Sequence, residues 1–86
     1  MSEYNGHPTW AHWNVTLWLN NEPALYAVLQ QFSWGVTNHK AHPSDMAAEM
    51  LVHMRQYHGD TTPDGAAWSH DVLRYAIESH LEGERA

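Results

Sequence analysis

Eight histidines are the side chains of this 86-residue chain best suited to chemistry: His7, His12, His39, His42, His53, His58, His70 and His80. Neutral imidazole ligates transition metals and moves protons near neutral pH. The stretch His39-Lys-Ala-His42 could bring two imidazoles to one metal, but no carboxylate stands beside it in sequence. His53 and His58, five apart, sit about 140° apart around a helix and so leave a common face. Glu49 and His53, four apart, share a face, which suits a surface pair. His39 and His42 are thus the foremost metal candidates, and weak ones; the expectation is no metal and no cofactor.

Nucleophilic catalysis finds even less. There is no cysteine, which removes thiolate nucleophiles, thiolate zinc sites and disulfides together. Ser33, Ser44, Ser69 and Ser79 lack the strand-turn-helix setting of an activated serine. Ser69-His70-Asp71 has the letters of a triad, but consecutive helical residues point in different directions. No glycine-rich loop is present to cradle a phosphate. The expectation is a protein that is not an enzyme.

Charge narrows the partners. Ten acidic residues face four basic ones, for a formal charge of −6. Lys40, Arg55, Arg74 and Arg85 are dispersed and give no footprint for a phosphate backbone, so direct duplex DNA binding is not expected. The apolar runs are far shorter than the roughly 20 residues needed to span a bilayer. Residues 1–8 lack the basic start and apolar run of a signal peptide. On the last helix Asp71, Glu78 and Glu82 fall on one face at i, i+7 and i+11, with Arg74 near enough to pair. An ordinary solvated face explains them; the sharper reading is a patch that meets a basic protein surface.

Four short helices are expected to position these groups. Residues 1–8 read as a flexible arm, 9–82 as one helical domain and 83–86 as a frayed end. Thr9 is a good N-cap for a helix to about Asn20. Trp10, Trp13, Asn14 and Leu17 share a stripe with Trp18 at its edge, and are expected to form the central core motif. Ala11, Val15 and Leu19 lie opposite, so the helix is apolar nearly all round. Asn14 on that stripe needs hydrogen-bond partners if buried. Asn21 is expected to cap a second helix bearing Leu25, Val28, Leu29 and Phe32, ended by Gly35. A loop over 36–43 leads to a third helix from Ser44-Asp45 to Tyr57, whose Met46, Met50 and Met54 row suits a core. After the turn-rich segment 59–65, a last helix from about Trp68 or Ser69 turns Val72, Leu73, Ala76, Ile77 and Leu81 inward. The fold class is all-α, a single small domain with an aromatic-rich core.

The stretch from Tyr4-Asn5-Gly6 through Trp13-Asn14-Val15 and Leu17-Trp18-Leu19 to Asn21, Glu22 and Leu25-Tyr26 resembles a family of short uncharacterised tailed-phage and prophage proteins. The turn Thr62-Pro63-Asp64-Gly65 and the ending Ile77-Glu78-Ser79-His80-Leu81 agree more loosely. The resemblance implies a phage or mobile-element origin and action in the cytoplasm of a bacterial host; it carries no activity. The leading expectation is a small acidic accessory protein that binds and modulates or inhibits a host protein, such as a CRISPR or restriction defence complex. Its expected contact residues are Asp71, Glu78, Glu82, Tyr4, Trp34, Tyr57 and Trp68. The alternatives are a structural or assembly protein acting as a homodimer, and a histidine-based metal module.

Overall fold

Four helices build the fold in a computed structural model that describes the backbone of residues 4–85 and the side chains of residues 4–83. They are α1 (Trp10–Asn21), α2 (Pro23–His39), α3 (Pro43–Tyr57) and α4 (His70–Arg85). Among the described residues there are two isolated β-bridges and no longer strand. The all-α class follows. α2 and α4 each pack against the other three helices, while α1 and α3 do not meet. α4 supplies the most regular stripe of the core: Val72, Leu73, Ala76, Ile77 and Leu81 are all buried, as their spacing predicts. Burying each large aliphatic chain contributes about 1.5–3 kcal/mol before entropy is subtracted. Met50 and Met54 are fully buried against this stripe, with Met46 packed beside them, so the methionine row is core.

Helix boundaries differ from the sequence reading where side chains other than the expected ones supply the caps. Thr9 does cap α1, its hydroxyl accepting from the His12 amide at 3.2 Å. Asn21 does not cap α2, because its amide donates back to the Leu17 carbonyl inside α1. Glu22 takes the role, its carboxylate accepting from the Ala24 amide at 3.1 Å. Nor does Gly35 end α2. It lies inside the helix where Met46 crosses, and a Cβ there would come within 2.9 Å of the Met46 sulfur. Glycine is thus used for close approach of α2 and α3, and the left-handed cap is Lys40, at φ 57°. The expected loop 36–43 shrinks to 40–42. The described backbone of α4 is helical through Gly83 to Arg85, beyond the expected end of the helix near Leu81; Ala86 lies outside the described residues.

The described part of the arm carries a turn. Tyr4 and His7 exchange backbone hydrogen bonds at 2.7 and 2.8 Å, across Asn5 and Gly6 at φ 48° and 86°. Positive φ at both central positions is the type I′ turn that Asn-Gly favours. The turn meets the rest of the fold through Tyr4 against the Trp13 ring, 4.9 Å between centroids, and through a 2.8 Å hydrogen bond between His7 Nδ1 and the Tyr75 hydroxyl. Residues 1–3 of the arm lie outside the described residues.

The aromatic core is where expectation and structure part. Of the expected core motif only Asn14 is buried outright; Trp13 and Trp18 are half-buried, and Trp10 and Leu17 are exposed. Val15 and Leu19, on the opposite side, are fully buried instead. The one deeply buried tryptophan is Trp68, at 1% exposure, a residue the sequence places among the surface contacts. Its backbone amide donates to the Asp60 carbonyl at 3.0 Å, closing the 59–68 loop and setting the ring into the core.

Candidate binding surface

What orients α1 is a polar clasp. The side chain of Asn14, 1% exposed, donates from Nδ2 to Asp64 Oδ2 at 2.9 Å and accepts at Oδ1 from the Thr62 hydroxyl at 2.6 Å. Trp18 Nε1 donates to the same Asp64 oxygen at 2.9 Å. The Thr62 oxygen also accepts from the Ala66 amide at 3.1 Å, and Thr62 and Ala66 pair through the backbone at 2.8 Å. The Asn14 amide above all, then the Trp18 indole, holds the Asp64 carboxyl below its ordinary range. Thr62-Pro63-Asp64-Gly65 is therefore the polar partner that α1 reaches for. A buried amide left unpaired would be costly, so α1 turns the side bearing Asn14 and Val15 inward and leaves Trp10 and Leu17 outside.

A second tie joins α1 to α4. His12, buried, contacts Asp71 through Nε2 at 3.0 Å and the Thr9 hydroxyl through Nδ1 at 2.7 Å. Both contacts are satisfied when Nε2 carries the proton, with Asp71 accepting and Thr9 donating. Asp71 is thus paired with a histidine far away in sequence, not with its neighbours Ser69 and His70. His70 instead contacts the Ser44 carbonyl at 2.8 Å, linking the starts of α3 and α4.

The remaining histidines sit at similar joints. His42, a metal candidate in sequence, is the N-cap of α3, its Nδ1 accepting from the Ser44 amide at 3.1 Å. His39 rests on Trp34, with centroids 4.7 Å apart. His53 lies between Phe32 and Tyr57, and His80 meets the edge of Tyr26. Among the described residues no cluster of three or more His, Asp or Glu is placed to hold a metal ion.

The expected contact residues separate into groups. Asp71, 83% exposed at its side chain, and Glu78 border one hollow with Pro8, Arg74 and Tyr75. Glu78 and Glu82 border the next, beside Val36 and Pro43, so the three acids form one edge along α4. Arg74 pairs with Glu78 at 3.2 Å and offsets part of that charge. Tyr4 joins a different face, formed with Trp13 and the exposed Trp10 and Leu17 of α1. The arm connects the two: His7 lines a shallow hollow with Trp13 and Leu17 and bonds Tyr75 beside the acids. Trp34, 56% exposed, and Tyr57, 64% exposed, stand on α2 and α3. Trp68 is withdrawn from the surface altogether. Sequence reading missed the outward pair Trp10 and Leu17, although α1 carries no Asp, Glu, Lys or Arg, and apolar residues on both of its sides require one side to face out.

A family model described as "Family of unknown function (DUF7249)" matches residues 1–81. The chain belongs to the DUF7249 family. No curated protein and no solved structure matches it. The DUF7249 match spans both partners of the clasp, α1 and the 62–65 turn, and all but the last residues of α4.

Proposed function

We propose that this DUF7249 protein is a small acidic accessory protein that binds a host protein, its contact surface being the aromatic side of α1 and the arm with the acidic edge of α4. The observation that carries the reading is the continuity of these two faces through His7 and Tyr75. Aromatic side chains supply most of the energy at protein interfaces, and a charged rim sets encounter rate and orientation. An uncharged aromatic centre beside Asp71, Glu78 and Glu82 suits a partner with an apolar spot flanked by basic residues, and the net charge of −6 disfavours a polyanion. The phage-like opening motif supports a bacterial host protein as the partner, with a defence complex as the class to examine first.

Site-specific photocrosslinking inside bacterial cells tests this. A benzophenone side chain at Leu17 is expected to capture a basic host protein, and one at Val52, exposed on α3, is expected not to. Reversing the charge of Asp71, Glu78 and Glu82 should reduce capture from Leu17. Equal labelling from both positions, or no dependence on the acids, would count against the proposal. A crosslink to a second copy of the chain would favour the homodimer instead.

A further inference from the structure

Two histidines that helical spacing sets apart are brought together where α3 ends. His53 lies inside α3, whereas His58 follows its final residue, Tyr57, as the C-cap. The His58 backbone leaves the helical path at φ −130° and ψ 12°, while its amide still bonds the Met54 carbonyl at 2.8 Å. The separation of about 140° between positions five apart holds only within a helix. With His58 beyond the helix, the two rings come to 5.9 Å between centroids, inclined at 44°.

Three features fit this pair to a metal ion. The first is distance. A metal sits about 2.0–2.1 Å from an imidazole nitrogen, and hence roughly 3 Å from the ring centre. Two rings on one ion are therefore roughly 4.5–6.5 Å apart between centres, depending on the angle at the metal. The observed 5.9 Å falls inside that span. The second feature is availability. Among the described residues neither ring makes a hydrogen bond, whereas His7, His12, His42 and His70 use ring nitrogens to join parts of the fold. Both residues are half-buried rather than enclosed, and His58 borders an open groove between the ends of α1 and α3. The third is support. Phe32 and Tyr57 stand 5.8 and 4.8 Å from the His53 ring between centroids, restricting it without engaging a nitrogen. A ligand group already held loses less freedom on binding.

We infer that His53 and His58 form a two-imidazole site for a divalent transition-metal ion, Zn²⁺ or Cu²⁺, with water in the remaining positions. Imidazole suits both ions, and Cu²⁺ should bind the more tightly. His53 belongs to α3, and His58 opens the loop that carries Thr62 and Asp64. A bound ion therefore ties the clasp loop to the end of α3. The site uses none of the residues of the proposed contact surface.

Calorimetric titration of the full chain, free of any affinity tag, with zinc chloride provides the test. One ion per chain is expected to bind saturably below millimolar metal. His53→Gln and His58→Gln should each weaken binding about tenfold or more, because the second imidazole no longer acts at high effective concentration. The double variant His39→Gln/His42→Gln should bind as the wild type does. Zinc should raise the melting temperature of the wild type and of that double variant, and not that of His58→Gln. In the wild-type chain, substoichiometric Cu²⁺ should broaden the ring-proton resonances of His53 and His58 before those of the other histidines. That readout does not depend on either single variant folding. Absence of saturable zinc binding below millimolar metal, or undiminished affinity in His53→Gln or His58→Gln, would overturn the assignment. So would loss of binding in the His39/His42 double variant, or first broadening at any other histidine.

Discussion

α1 and α4 meet the same demand, to lay a helix on a small core, in opposite ways. α4 buries an apolar stripe and exposes carboxylates. α1 buries an asparagine and a histidine alongside Val15 and Leu19, and exposes a tryptophan and a leucine. Burial of area is non-directional, so α4 needs only the right periodicity. α1 is aimed by directional bonds to Thr62, Asp64 and Asp71. The difference teaches that Trp10 and Leu17 are not what sets α1 on the core, which makes them available to the proposed contact surface.

The largest expected effect tests the α4 half of the contrast. Leu73→Ala removes a fully buried side chain from one of the two helices that touch all the others. Thermal or denaturant unfolding should show a loss of about 2–5 kcal/mol, a large share of the stability of so small a domain. A loss below about 1 kcal/mol would mean that the α4 stripe is not a main part of the core.

Next comes the clasp. Asn14→Ala strips a partner from both Thr62 and Asp64, and should cost about 1–3 kcal/mol because the buried Thr62 hydroxyl loses the acceptor for its proton while keeping only the Ala66 amide. The same variant should alter the Trp18 indole resonance, since both residues bond one Asp64 oxygen. Asn14→Leu separates the two modes: if area alone positioned α1, the apolar residue would restore stability.

Acid titration probes the same clasp by a smaller effect. The Asp64 carboxyl is held below its ordinary value of 3.8, so the folded state favours the ionised form. Its contribution is fully present above that value and is lost as the pH falls through the lower, folded-state value. Wild-type protein should therefore lose melting temperature more steeply than Asp64→Asn below about pH 4, the two curves converging at the acid end. Parallel curves would show that Asn14 and Trp18 do not favour the carboxylate.

The contrast also explains what the sequence made legible. In α4 polar and apolar positions alternate with the helical period, and every buried residue could be named. The methionine row and the Thr9 cap were legible for similar reasons, as spacing and capping are local properties. In α1 both sides are apolar, so periodicity could not say which faces in. That depended on Asp64 and Thr62, some 50 residues away. Asn14 was recognised as a group that would need partners, but the sequence did not reveal which partners. Trp68 was misplaced because a lone aromatic after a turn carries no periodic signal, and its burial follows from loop closure on Asp60.

The smallest expected effect on stability carries the most functional weight. Replacing Trp10 and Leu17 together by serine changes two exposed side chains on a helix whose orientation the clasp sets. Stability should change by no more than about 0.5 kcal/mol per site, as at surface positions free of caps and networks. Serine is a poorer helix former than leucine, so any loss should appear as slight weakening of α1 rather than as core disruption. Because the side chains are large and apolar, capture of a partner from a benzophenone placed at Trp13 should fall sharply in the same variant. Unchanged stability with lost capture would establish that the exposed aromatics are maintained for binding. A stability loss as large as that of Asn14→Ala would mean that the aromatic face completes the fold, and the contrast between α1 and α4 would collapse into a single kind of packing.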